Sequence, residues 1–135
     1  MTRENKELLI KDLSARLPYH LIVHIHDIDV IDYDNYLYPD YLEKMISSSI
    51  TLKPYLRPMW SMTNEEFGFL QEHLPYDFTR IYSGKFNLID DIHLGDSISI
   101  DDMAFLLDYL NKRHFNYRGL IEKGLAIDAT GLNIY

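Results

Sequence analysis

The chain has 135 residues, of which 47% are hydrophobic and 25% charged. That is enough to bury one core and too little for two ordinary domains, so a single domain over residues 1–135 is expected. A mean hydropathy of -0.21 and apolar runs no longer than Leu8-Leu9-Ile10 or Leu21-Ile22-Val23 exclude a helix crossing a bilayer, which needs roughly 20 apolar residues. Thirteen Lys and Arg against 21 Asp and Glu leave a formal charge of -8, which opposes direct contact with nucleic acid or an anionic membrane.

Met1 to Glu7 carries charges of both signs and has no apolar stretch followed by a small-residue cleavage site, so no secretory signal is expected. With no cysteine there are no disulfides, thiolate metal sites or Cys nucleophile, and a reducing cytoplasm is the expected location.

In chain order, Leu9, Ile10, Leu13 and Leu17 recur at helical spacing over residues 4–17, with Lys6, Glu7, Lys11, Asp12 and Arg16 expected to face mostly away. Pro18 ends this helix. From Tyr19 to His26 the period becomes two: Tyr19, Leu21, Val23 and Ile25 take one face of a strand, and His20, Ile22, His24 and His26 the other. Residues 27–49 are expected to give a second strand and then a loop or short helix. Ser47 to Leu52 is compatible with a strand, while Pro54 and Pro58 are expected to carry the following segment away from the sheet centre.

A second helix begins at Thr63, where Glu66 completes a capping box. It turns Phe67, Leu70 and Leu74 inward and stops at Pro75. Phe78 to Leu88 suggests one or two strands interrupted at Ser83-Gly84. A third helix starts at the N-cap Ser99, with Asp101 and Asp102 at its positive end, a stripe of Met103, Leu106, Leu107 and Leu110, and cations at Lys112, Arg113 and His114. A short turn over Leu120 to Lys123 meets Gly124, and Leu125 to Ala129 can return as a strand. The fold class is therefore α+β: an N-terminal helix, a small mostly antiparallel sheet and two further helices.

Three blocks together, ELLIKDLSARLPY (Glu7 to Tyr19), LKPYLRPMWSMTNEE (Leu52 to Glu66) and FLLDYLNKRHFNYRGLIEKGLAID (Phe105 to Asp128), resemble short uncharacterised proteins of Bacteroides-type gut bacteria and their phages and mobile elements. The resemblance implies a phage or mobile-element origin and a cytoplasmic location in a bacterial host; it supplies no activity and no catalytic residues. The chain departs from that pattern in its Asp- and Tyr-rich stretch from Asp27 to Tyr41, where the group carries a Gly-containing hairpin. It also has Trp60 where the group has a small residue.

Two metal patterns can be weighed. His20, His24 and His26 share one face of the first strand, and a His-x-His pair can chelate an ion, with Asp27 or Asp29 as a further ligand. The plainer reading is three solvated histidines. Asp27-x-Asp29-x-x-Asp32-x-Asp34 has the carboxylate density of a calcium loop, but Ile31 stands at the third ligand position and Asp32 replaces the turn glycine. No cofactor is expected.

Catalytic chemistry finds little. Asp90-Asp91 would point oppositely on a strand, Asp101-Asp102 is explained by the helix dipole, and neither a nucleophile elbow nor a phosphate loop is present. The expectation is therefore a non-enzymatic protein-interaction module. Asp27, Asp29, Asp32, Tyr33, Asp34, Tyr36, Tyr38, Tyr41, Tyr55 and Trp60 would form an acidic, aromatic surface for a protein partner or a second copy of the chain. An alternative is an inhibitor of a host nucleic-acid-handling system whose carboxylates imitate phosphates.

Overall fold

Helix α1 (Arg3–Arg16) begins where the Thr2 hydroxyl accepts a hydrogen bond from the Asn5 amide at 3.1 Å. It buries Leu9 and Leu13 completely. The computed structural model, which describes residues 1–27, 29, 31–74 and 99–135, then shows a single 3₁₀ turn at Leu17–Tyr19 containing Pro18. His20 follows in the left-handed region at φ 55°, which reorients the chain before strand β1 (Ile22–Asp27).

Strand β2 (Tyr33–Tyr36), helix α2 (Pro39–Ile46) and strand β3 (Ile50–Leu56) come next. Helix α3 (Asn64–His73), helix α4 (Ile100–Lys112) and the short strand β4 (Ile127–Asp128) complete the described elements. The sheet order is β2-β1-β3-β4, with β1 antiparallel to both neighbours and β3 parallel to β4. The mostly antiparallel α+β architecture expected from the sequence is what the structure shows, and α2 is the short helix expected as one option after the second strand.

Burial on one face explains the order. Leu21, Val23 and Ile25 are fully buried with Leu52 and Leu56 of β3, beneath Leu9 and Leu13 of α1 and Leu42 and Met45 of α2. Each such side chain contributes about 1.5–3 kcal/mol when fully buried. A second cluster, Met62, Leu70, Leu74, Leu106, Tyr109, Leu110, Phe115 and Tyr117, fills the space around α3 and α4. The capping box at Thr63 and Glu66 is formed as read from sequence, and the turn before β4 closes with Gly124 at φ 72°. The strands expected over Phe78 to Leu88, the helix stop at Pro75 and the pair Asp90-Asp91 lie outside the described residues.

Three expectations need correction. Pro54 does not leave the sheet: it sits on the inner strand β3, opposite Val23. Leu37 N donates to Leu21 O at 2.8 Å, so the odd residues of β1 bond toward β2 and Val23 faces Pro54 as a non-hydrogen-bonded pair. The proline nitrogen thus points to the β4 side, where pairing begins only at Tyr55.

Strand β1 also starts later than the pattern suggested, because His20 turns the chain and Tyr19 belongs to the 3₁₀ turn. Finally, Asp12 and Arg16 do not face away but are completely buried.

Their burial is possible because they pair with each other, with Nη1 alone of the Arg16 guanidinium nitrogens left without a hydrogen-bond partner. Arg16 donates to both Asp12 oxygens at 2.9 and 3.0 Å and to the Phe115 carbonyl at 2.7 Å, while the guanidiniums of Arg16 and Arg118 lie 5.2 and 5.1 Å from the Tyr117 ring centre. This pair ties α1 to the segment after α4. Asp12→Ala, which leaves Arg16 buried without its counter-ion, is expected to cost about 3–5 kcal/mol in urea unfolding. Replacing both residues by Leu and Met together is expected to cost far less.

Candidate functional site: the open face of the sheet

The alternation that buries Leu21, Val23 and Ile25 sends Ile22, His24 and His26 to the opposite face. Register then decides their neighbours. His24 stands between Asp34 of β2 and Lys53 of β3, and His26 opposite Thr51. Tyr55 and Tyr36 share this outer face.

A continuous chain of polar contacts results. The Tyr55 hydroxyl donates to the Asp34 carboxylate at 3.0 and 3.1 Å, and the Asp34 Oδ1 lies 2.8 Å from His24 Nδ1. His24 Nε2 faces Asp32 Oδ2 at 3.4 Å, and Asp32 Oδ1 meets His26 Nδ1.

Ionised carboxylates only accept hydrogen bonds, so His24 serves both Asp34 and Asp32 fully only when both its ring nitrogens carry protons. Its pKa is accordingly raised from the ordinary 6.5, chiefly by the bond to Asp34 and further by Asp32, against a smaller opposing effect of burial. Asp32 is lowered from 3.8, chiefly by its bond to His26.

The sign of each linkage follows. The stabilisation from His24 is complete below pH 6.5 and is lost as pH rises through its elevated pKa. That from Asp32 is present above pH 3.8 and lost as pH falls through its depressed pKa. The network is therefore tightest in weak acid. Side-chain exposures of 50% for Asp32 and 54% for His26 keep it solvent-screened, so it organises surface charge more than it holds the fold.

The tyrosines fall into two groups. Tyr36 meets His20 edge to face at 5.8 Å on the outer side. Tyr33 pairs with Ile25 and so points to the other side, where its ring lies 6.4 Å from Tyr41, with Tyr38 at 6.1 Å from the same ring. The Tyr41 hydroxyl accepts from Asn35 at 3.0 Å. Tyr33, Tyr36 and Tyr38 are exposed, whereas Tyr41 and Tyr55 are half-buried. Trp60 is exposed in the 3₁₀ turn Met59–Ser61 and, among the described residues, makes no ring contact with these tyrosines.

Asp27 accepts from the Asp29 amide at 3.1 Å, forming a local turn. The expected single surface from Asp27 to Trp60 is thus an outer face and an edge around β2, with Trp60 apart.

The histidine metal reading is corrected as well. His20 leaves the strand, and His24 and His26 spend ring nitrogens on carboxylates; among the described residues no group of three His, Asp or Glu side chains is placed to hold an ion. Sequence reasoning missed Lys53, which flanks His24, and Tyr135. The Tyr135 hydroxyl accepts from Ile22 N at 3.0 Å and donates to Tyr55 O at 2.8 Å, bridging β1 and β3 where their ladder parts. No sequence signal links position 135 to position 22; only the fold does.

No family model matches this chain, and no curated protein or solved structure matches it either. Among the described residues no helix is long and apolar enough to cross a membrane. In an NMR titration, Asp34→Asn is expected to bring the His24 pKa back down toward 6.5. His114, held near 4 by burial and by the cations of Arg16, Arg57 and Arg113, is the internal control and should not move.

Proposed function

We propose that the chain is a non-catalytic protein-interaction module that receives an extended, basic segment of a protein partner along strand β2. The observation that carries this reading is the character of that strand: among the described residues it is an edge strand of the sheet with no second neighbour, with exposed tyrosines on both of its faces. Added strands are held by main-chain hydrogen bonds and selected by alternate side-chain contacts.

The ladder supports it. Since Leu37 bonds inward to Leu21, the backbones of Asp34 and Tyr36 face outward. The Tyr36 amide is occupied by the Asn35 side chain at 2.8 Å, which leaves the Asp34 backbone and the Tyr36 carbonyl turned to the edge. Asp27, Asp29, Asp32, Asp34, Asp40 and Glu43 occur here with no lysine or arginine among residues 27–43. That charge suits a basic partner and speeds its approach. It disfavours pairing with a second copy, which would set Asp34 against like charge.

Acidic side chains also guard edges against aggregation, but guarding does not require exposed Tyr33, Tyr36 and Tyr38. The openness of the His24 network favours binding over catalysis, which needs a site sheltered from water. Phosphate mimicry is the weaker reading, because Asp32 and Asp34 are tied to histidines. The resemblance to phage and mobile-element proteins of gut bacteria supports a partner inside a bacterial cell.

Selection of extended segments from a displayed peptide library tests the proposal. Lys- and Arg-bearing strands are expected to be enriched, and Tyr36→Ala should weaken them by roughly tenfold, about 1.4 kcal/mol. Asp32→Lys with Asp34→Lys should abolish binding. Enriched segments that bind this double variant unchanged would overturn it.

A further inference from the structure

A second feature lies apart from the β2 edge. Between α3 and the last turn of α4, a cleft of about 700 Å³ is lined by Arg57, Phe69, Tyr109, Lys112, Arg113 and Tyr135, with Thr63, Glu65 and Glu66 completing the wall. That volume is within the usual range for small-molecule sites. A smaller recess of about 220 Å³ adjoins it through Arg57 and Tyr135, on the side of the loop from Ala129 to Gly131.

The charges in the cleft do not cancel. Glu66 is committed to Arg57, which donates to it at 2.6 and 2.8 Å, and to the Thr63 amide at 3.0 Å. Among the described lining residues, Lys112 and Arg113, the latter over the Tyr109 ring at 5.7 Å, then stand against Glu65, a locally cationic site on a chain of net charge -8. The same side-chain charges of Lys112 and Arg113 complement the negative end of α4 and line the cleft.

The aromatic part is preorganised. Phe69 and Tyr109 stack on each other at 4.9 Å. Tyr135 is different: one face lies on the His114 ring at 3.8 Å, and its hydroxyl is fixed between β1 and β3. The residue as a whole is 45% exposed and lines the cleft, so it is a rigid aromatic element of the cleft wall. A rigid aromatic face beside paired cations recognises a planar ring joined to an anion.

We propose that this cleft binds a nucleoside monophosphate, with the base stacked on Tyr135 and the phosphate held by Lys112 and Arg113. The site shares no residue with the β2 edge, so it stands or falls independently of the protein-partner reading.

Calorimetric titration with AMP, GMP, CMP and UMP tests it, with adenosine and inorganic phosphate as separate arms. At least one monophosphate is expected to bind saturably and more weakly as salt rises. Adenosine and phosphate alone should bind at least about tenfold more weakly, because each offers half of the recognition. Lys112→Gln with Arg113→Gln, both at exposed positions, should lose at least about tenfold in affinity while keeping the wild-type circular dichroism. No saturable binding of any monophosphate at millimolar concentration would overturn the proposal. So would unchanged affinity in the double variant, or inorganic phosphate binding as tightly as the nucleotides.

Discussion

Strand β1 is paired on both sides, and its inner residues Leu21, Val23 and Ile25 have no exposure at all. A slip of one residue would send those three to water and bring His24 and His26 into the core, which fixes the register strongly. From that single constraint follow the facing of Asp34 and Lys53 on either side of His24 and the outward Tyr36. The polar chain from Tyr55 to His26 follows as well. The outer face is a consequence of how the inner face is buried.

Among the described residues, arginines join the sheet to the α3–α4 region, whose apolar clusters are separate. Arg16 reaches from α1 to the Phe115 carbonyl, and Arg57 lies over the Phe115 ring at 4.3 Å while gripping Glu66. The backbone of Arg57 is bonded on both sides, to His114 O and from Asn116 N, each at 2.8 Å. Planar guanidiniums suit this task because they hydrogen-bond in their plane and stack on rings with their faces. Their shared positive field, together with burial, keeps His114 neutral, so it stacks on Tyr135 as an uncharged ring.

Much of this was legible in the sequence. The helix starts at Thr63 and Ser99, the alternation of β1 and the stripe of α4 follow from periodicity and capping chemistry, which are local. What could not be read depends on contacts distant in sequence. Asp12 and Arg16 have the composition of a solvated helix face, and only the Phe115 carbonyl and Tyr117 make their burial affordable. Pro54 reads as a strand breaker until the β1 register shows its nitrogen facing an unpaired stretch. The three histidines looked equivalent at period two, yet a left-handed residue at His20 removes one of them. The link from Tyr55 through Asp34 to His24 joins three strands, so no single segment contains it.

The central claim is that, among the described residues, no element packs on the second face of the sheet, which carries an ordered polar chain beside the exposed tyrosines of the edge strand. Hydroxyl-radical footprinting of the whole protein measures this residue by residue. The account requires Tyr36, Tyr38 and His26 to be modified at rates typical of solvent-exposed side chains, while Phe115 and Tyr117, buried in the second cluster, stay protected. Protection of Tyr36 and His26 to the level of Phe115 would contradict it.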